Sequence, residues 1–452
     1  MQKIKQHYRN LIIGFGKGGK TLAAYLAKQG QDVALIEKSN MMYGGTCINV
    51  ACIPTKSLIV NAENKMPYSK AFKIKNELTS FLRKKNFENL DNLPLVDVIT
   101  GDAAFVSEHE VRVTLNSSNE ELLIHADRIF INTGTIPDIP HIPGLKSSKR
   151  VFSSASLMEQ SSLPKKLIVI GAGFIGLEFA DMYSKFGSDV ILLDRNNVFL
   201  PKEDTDIAHE IHTMMTAKNI EILTGVSVLK ITDASNDEVQ VQYKSKEGDM
   251  RELTASAVLI AAGRRSSIDG LHLENAGIKT NARGFVQVND LLQTNVRNVW
   301  AIGDINGGPQ FTYISLDDFR IIRDQLFGEG HYSINKRKLV ASSVFITPPL
   351  SHIGLRETEA VERGYKIKVA KLPVSAIPRA RILNNTSGFL KSIVDAETNK
   401  VLGCTLLCVE SNEMINTIQI AMNAGLTYQT IRDTIFTHPS MTEAFNDLYS
   451  SI

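Results

Sequence analysis

Two cysteines, Cys47 and Cys52, stand five positions apart in Gly-Gly-Thr-Cys-Ile-Asn-Val-Ala-Cys-Ile-Pro-Thr-Lys-Ser, residues 44–57. If they pair in a reducing cytosol, the bridge is of the catalytic kind rather than the structural one. Pro54 suits the first turn of a helix, where its missing N–H costs nothing. Cys52 then lies at a helix N-terminus, where the positive end of the dipole favours a thiolate. A regular helix would set the two sulfurs roughly 140° apart around its axis and about 7.5 Å apart in height. A disulfide tolerates Cα separations of up to about 7 Å, so pairing requires the turn before Cys52 to be unwound. Spacing alone leaves open a second reading, two buried thiols in a helix. Gly44 and Gly45 allow the backbone to bend, or a large planar ligand to approach closely.

The elements that must position these thiols begin upstream. Leu11-Ile12-Ile13 is a short strand leading into Gly14-Phe15-Gly16-Lys17-Gly18-Gly19. A helical run over residues 20–29 follows, then a strand over 32–36 ending in Glu37. A glycine-rich turn opening a helix after a strand, with an acid 18 residues beyond the last glycine, is the setting of a dinucleotide-binding βαβ unit. Gly14 would make the tight turn, Gly16 admit a pyrophosphate and Gly19 let helix and strand pack, with Glu37 on ribose hydroxyls.

The pattern recurs. Leu167-Ile168-Val169-Ile170 is a strand, Gly171-Ala172-Gly173-Phe174-Ile175-Gly176 a second glycine turn, and residues 177–186 its helix. A strand over 189–193 ends in Asp194, again 18 residues after the last glycine. Two copies at one internal spacing predict two bound dinucleotides, and a donor beside an acceptor is what hydride transfer requires. Strands near 220–223 and 258–260 continue the second copy, and Val299-Trp300-Ala301-Ile302 ends in Gly303-Asp304, whose amides and carboxylate suit a phosphate and sugar hydroxyls. Residues 58–100 read as helix with a solvated basic face (Lys65, Lys70, Lys73, Lys75, Arg83, Lys84, Lys85), and β-like segments follow over 97–113 and 122–131. From residue 338 the texture becomes α+β, with strands at 340–347, 365–371, 388–395 and 401–409 and helices at 357–363 and 412–423. Cys404 and Cys408, four apart on a strand and so about 13 Å apart, read as buried structural thiols.

Composition narrows the class. The 452 residues are 43% hydrophobic and 22% charged with a formal charge of +2, which argues for neither nucleic acid nor a membrane surface. Four cysteines do not make a secreted disulfide scaffold. No apolar leader segment and no run of roughly 20 apolar residues is present, so a cytoplasmic enzyme is expected, with no metal site.

In order, residues 14–19, 45–56, Thr133-Gly134, 171–178, Ala262-Gly263-Arg264, Gly303-Asp304 and 438–443 resemble the pyridine nucleotide-disulfide oxidoreductases, or flavoprotein disulfide reductases. The resemblance implies an α/β fold: an FAD-binding domain in 1–148 returning at 271–337, an NAD(P)H-binding domain in 149–270, and an α+β dimerisation domain in 338–452. It implies that Gly14, Gly16, Gly19, Glu37, Gly45, Thr46, Thr133, Gly134, Gly303 and Asp304 hold FAD. Gly171, Gly173, Gly176, Glu178, Asp194, Arg195 and Gly263 would serve NAD(P)H. Cys52 would be the thiol against the flavin, Cys47 the interchange thiol, and Lys56 the lysine beside the flavin, paired with an acid at the Glu178 position. His438 and Glu443 would form a His–Glu pair contributed across a homodimer interface.

Within the family, residues 310–320 (Gln-Phe-Thr-Tyr-Ile-Ser-Leu-Asp-Asp-Phe-Arg) and Thr55 resemble the reactive-chlorine-resistance (RclA-like) branch, whose members reduce hypothiocyanous acid. Ala51 departs from the family glycine and Ser440 from the threonine after His-Pro. Mercuric reductases end in a vicinal cysteine pair where this sequence has Asp447-Leu448-Tyr449-Ser450-Ser451-Ile452. A small oxidant is therefore the expected substrate. The alternatives are a dihydrolipoamide dehydrogenase, and a mercuric or copper ion reductase or metal-binding protein. Asp194 favours the free ribose hydroxyl of NADH, while Arg195 offsets some repulsion of the NADPH phosphate.

Overall fold

The computed structural model describes residues 5–234 and 237–452. In chain order the elements begin β1 (His7–Ile13), α1 (Lys17–Lys28), β2 (Val33–Glu37), α2 (Thr46–Asn49), α3 (Cys52–Glu63), α4 (Tyr68–Asp91), β3 (Val96–Phe105), β4 (Glu110–Leu115), β5 (Glu121–Ile131) and β6 (Thr135–Pro137). There follow β7 (Val151–Phe152), α5 (Ser154–Leu157), β8 (Lys166–Ile170), α6 (Phe174–Phe186), β9 (Asp189–Leu193), α7 (Thr205–Thr216), β10 (Ile220–Leu223), β11 (Ser227–Asp233), β12 (Val239–Lys244), β13 (Met250–Ala255) and β14 (Ala257–Ile260). Next come β15 (Arg264–Ser266), β16 (Val299–Ala301), α8 (Thr312–Phe327), β17 (Ser342–Val344), β18 (Leu350–Gly354), α9 (Glu357–Glu362) and β19 (Ile367–Pro373). The last are α10 (Pro378–Ile382), β20 (Phe389–Asp395), β21 (Val401–Leu407), α11 (Ser411–Asn423), α12 (Tyr428–Arg432) and α13 (Ala444–Ser450).

Two compact units result. The first comprises the chain through Leu58, Ser69–Ile139 and Gly263–Arg337. Its parallel strands run β3-β2-β1-β5-β16, and β4 joins the far ends of β3 and β5 in antiparallel pairing. The central strands are apolar because both faces are covered. Leu22, Ala23 and Leu26 of α1 pack on Ile12, Phe130 and Trp300, with Ile322 of α8.

The second unit comprises Ile59–Tyr68, Pro140–Ala262 and Lys338–Ile452. Its parallel sheet runs β10-β9-β8-β14-β7, so β8, β9 and β14 hold the places that β1, β2 and β5 hold in the first unit. A β11-β12-β13 meander accompanies it. The C-terminal residues build an antiparallel sheet, β17-β18-β21-β20-β19, on which α11 and α13 bury Ile415, Ile418, Phe445 and Leu448. The fold is thus α/β with two dinucleotide-type sheets and a separate α+β sheet. Among the described residues no helix is long and apolar enough to cross a membrane.

One stretch departs from expectation. Residues 58–100 are not continuous helix: α3 and α4 are separated at 64–67, where Lys65 has φ 55 and Pro67 starts a new turn. Val96 leaves the helix and pairs with β2, and the strand runs on through Val98 and Ile99 within the β-like segment expected from Asp97. Nor is the basic face wholly solvated. Lys75 is 1% exposed with its ammonium 4.7 Å from the Phe72 ring centroid, and Arg83 Nε donates to Asn49 Oδ1 at 2.8 Å. The strand β18 carries no alternating pattern and escapes the sequence reading.

Candidate active site

The cysteine segment is broken where pairing demands it. α2 ends at Asn49, Val50 turns away at φ −139 and ψ 6, and α3 restarts at Cys52. Thr55 N–H bonds Ala51 O at 3.0 Å and the Thr55 hydroxyl bonds the same carbonyl, so Ala51 stands at the cap of α3 with Pro54 inside its first turn. Ala51 is not among the positive-φ residues, which is why alanine serves here as well as glycine.

Across the break stand the two thiols, both free and each shifting the other's ionisation. The neighbouring Cys47 thiol brings Cys52 down to about 6; Thr312 and the charge of Lys56, one turn further along α3, act in the same direction against burial. Thr312 Oγ1 lies 3.7 Å from Cys52 Sγ. Cys47 moves the opposite way, raised by the shared proton with Cys52 and by burial. The pair therefore ionises asymmetrically, with the thiolate at the helix N-terminus.

The glycine turn at the head of α1 abuts this loop: a Cβ on Gly45 (φ +81) would lie 2.7 Å from Gly16 Cα. Thr46 opens α2, its carbonyl accepting from Val50 N–H at 3.0 Å. Gly14 (φ +107) lies against the Asn132 carbonyl, where a Cβ would sit 2.3 Å from the oxygen. Asn132 itself braces the turn, its Oδ1 accepting from Gly19 N–H at 2.9 Å and its Nδ2 donating to Ile302 O at 2.7 Å. Ser315 Oγ accepts from Gly18 N–H at 3.0 Å, and Asp318 accepts from Gly303 N–H at 2.7 Å. Glu37 accepts from Phe15 N–H at 2.9 Å and Ser39 N–H at 3.2 Å; burial nevertheless pushes its carboxyl up. Asp304, likewise raised by burial, accepts from Thr135 Oγ1 at 3.1 Å, and Arg264 donates to both oxygens of Thr135.

The residues expected to hold a flavin dinucleotide fit one. The α1 N-terminus has no side-chain cap at Gly16, Gly134 (φ +69) faces open space, and Thr133 Oγ1 beside Gly14 is buried without a partner among the described residues. In the second unit Gly171 (φ +111) packs on Ala261 O and Gly176 on Gly171 O, whereas Gly173 meets nothing within 4 Å; nor does Gly263 (φ +138), the first residue of the segment that returns to the first unit. The α6 N-terminus is also uncapped. Asp194 is buried at the end of β9, bonded to Asn196, and Arg195 beside it is exposed. Glu178 is buried in α6, its Oε1 accepting from Phe345 N–H at 2.9 Å.

His438 and Glu443 meet as expected: Nδ1 lies 2.8 Å from Oε2, with the imidazole 72% exposed. Ser440 locks the carboxylate, donating its N–H to Oε1 at 2.9 Å and accepting Glu443 N–H at 3.2 Å. The hydroxyl suffices, so serine serves for threonine. Cys404 and Cys408 are fully buried, burial pushing the first thiol up and the second up to about 12. Among the described residues one group of metal-ligating side chains stands together, His7, His125 and Asp127; all are exposed, and the His7–Asp127 contact of 2.9 Å accounts for the arrangement. Sequence reasoning missed Asn132, Lys20, Thr312, Ser315 and Asp318 as individual site residues; the last three lie in the segment flagged as unusual at 310–320.

A redox-type dithiol in a chain that carries two glycine turns of dinucleotide type defines a class. The model for "pyridine nucleotide-disulphide oxidoreductase" matches residues 8–318, and that for the dimerisation domain of the same family matches residues 340–449. The chain belongs to the pyridine nucleotide-disulphide oxidoreductase family, oxidoreductases that use FAD and NAD(P)H. It is 50% identical over 445 residues to the probable pyridine nucleotide-disulfide oxidoreductase RclA of Escherichia coli K12, covering 98% of this chain and 99% of that protein. A solved Cu(II) complex of the HOCl-induced flavoprotein disulfide reductase RclA from Escherichia coli superposes with a TM-score of 0.96 at 49% identity, over 99% of this chain and 100% of that one. The mercuric reductase of Lysinibacillus sphaericus is 30% identical, over 97% of this chain and 81% of that protein.

Proposed function

We propose that this flavoprotein disulfide reductase passes electrons from NAD(P)H through the Cys47–Cys52 pair to a small cytoplasmic oxidant, hypothiocyanous acid. The observation that carries the reading is the broken helix, which sets Cys52 at the head of a new helix near enough to Cys47 for the two thiols to ionise asymmetrically, Cys52 first. Residues 1–148 and 271–337 would hold FAD and residues 149–270 NAD(P)H, with 338–452 forming the homodimer. The family's dimerisation model over 340–449 supports the last assignment. Bound FAD supplies the two-electron link between the nicotinamide and the cysteines.

Cys47 gives up its proton to the His438–Glu443 pair, contributed across the dimer interface, and attacks the sulfur of hypothiocyanous acid. A Cys47–S–SCN bond forms and hydroxide leaves, taking a proton to become water. Cys52 thiolate then attacks Cys47 Sγ, expelling thiocyanate and closing the disulfide. The dithiol loses two electrons and two protons, and the products are the disulfide, water, thiocyanate and one proton. Glu443 fixes the imidazole by its Nδ1 contact, leaving Nε2 for the proton. Lys56 beside Cys52 steadies its thiolate. Asp194 gives NADH the advantage over NADPH.

The test compares NADH and NADPH consumption with hypothiocyanite, lipoamide and oxidised glutathione as acceptors. Fastest turnover with hypothiocyanite is expected. Turnover with it no faster than with the two disulfides refutes the substrate assignment, and reversible oxidation of dihydrolipoamide would favour the dehydrogenase reading instead.

A further inference from the structure

Beside the cysteine loop, α1 and α4 enclose a cleft of about 360 Å³. Lys17, Lys20 and Lys28 line it from α1 and Asn86 and Asn89 from α4, with no carboxylate in its wall. Lys20 joins this cleft to the thiols. Its Nζ donates to Asn86 Oδ1 at 2.6 Å and to Gly44 O at 3.2 Å, three residues ahead of Cys47. Both acceptors are neutral, so the charge of a largely buried ammonium is left uncompensated. Burial and the like charge of Lys17 bring Lys20 down to about 8, while the Cys47 sulfur pulls it back up. The attraction is mutual, for Lys20, together with Thr312, lowers Cys47 against Cys52 and burial.

We propose that Lys20 selects the charge of what reacts at Cys47: the cationic α1–α4 cleft gathers small anions, and the Lys20 ammonium favours their encounter with this thiol over that of neutral reagents. Lys20 acts as a specificity residue through its field, not by bonding the reacting atoms. The inference rests on Cys47 being the outward, attacking thiol. It extends that reading to a substrate class, small singly charged anions such as hypothiocyanite, which takes up one proton to become the hypothiocyanous acid that Cys47 attacks, and sets cationic acceptors at a disadvantage.

The test needs no assumption about the natural oxidant. NADH-reduced holoenzyme is alkylated with iodoacetate or with neutral iodoacetamide, the labelled cysteine is mapped by mass spectrometry, and the ratio of the two rates is compared with that of free glutathione. In the wild type the ratio at Cys47 should exceed the glutathione ratio and fall as salt is raised. Lys20→Gln should cut it roughly three- to ten-fold, the scale of one partly screened charge. Lys20→Arg should keep it, and Lys28→Gln, farther from the loop, should change it less than two-fold, on the order of a screened distant charge. A Cys47 ratio unchanged in Lys20→Gln, or a wild-type ratio equal to that of glutathione and indifferent to salt, overturns the proposal while leaving the thiol assignment intact. Labelling at Cys52 instead of Cys47 overturns the thiol assignment and the proposal with it. The wild-type salt series decides the matter even if the variants misfold.

Discussion

Asn132 carries the sharpest structural prediction. Its amide ties the first glycine turn to the end of β16 through Gly19 N–H at 2.9 Å and Ile302 O at 2.7 Å, and the residue is 6% exposed. Asn132→Leu keeps the volume and removes both bonds, stranding a buried donor and a buried acceptor. Each such group costs about 1–3 kcal/mol, so the loss should be about 2–6 kcal/mol. Asn132→Asp at neutral pH keeps the acceptor for Gly19 but turns a second oxygen towards Ile302 O, so it should be no more stable than the leucine variant. Protonating that carboxyl restores a donor, so the aspartate variant should regain stability relative to wild type as pH falls, whereas the leucine variant should not. Thermal melts with flavin fluorescence as a second reporter measure both effects. An Asn132→Leu protein within about 1 kcal/mol of wild type, with flavin retained through the same range, would refute the argument.

Four further outcomes are expected. The long-wavelength thiolate–flavin band of reduced enzyme should report Cys52 as thiolate above about pH 6, roughly ten to one over thiol at pH 7, and fade as pH falls through 6; a band that appears only well above neutral pH contradicts the asymmetry. His438→Gln should lower kcat by about 10²-fold or more with the NAD(P)H dissociation constant unchanged, as read by stopped-flow of the oxidised-substrate half-reaction. Gly173→Ala, whose new methyl meets nothing within 4 Å, should melt like wild type yet bind NAD(P)H more weakly in equilibrium titrations. Cys404→Ala and Cys408→Ala should cost about 1–2 kcal/mol in denaturant melts without altering turnover, since both thiols are buried.

The local signals were readable because they are local. Each glycine turn, its flanking strands and the acid 18 residues on lie within one βαβ unit, and the interruption before Cys52 follows from sulfur geometry applied to a five-residue spacing. The braces are another matter. Asn132 meets Gly19 from 113 positions away, and Ser315 meets Gly18 from 297, contacts that no periodicity announces. Lys75 looked like one more solvated charge because a run of lysines conceals which one turns inward over an aromatic ring. Residues 310–320 stood out as unusual, yet only the folded chain assigns Thr312 to the Cys52 sulfur and Asp318 to Gly303.

The two glycine turns differ in one respect that bears on time rather than on place. Gly16 is hemmed in by the Asn132 amide, with 2.6 Å between a would-be methyl and Oδ1, and by Gly45 from the cysteine loop. Its counterpart Gly173 has no such neighbours. A turn clamped by its own protein loses little freedom when a ligand arrives and holds it strongly. An open turn has no such clamp. The first suits a group kept for the lifetime of the enzyme, and the second suits one exchanged on every catalytic cycle, so the difference in dwell time between the two dinucleotides is already written into the neighbours of two glycines.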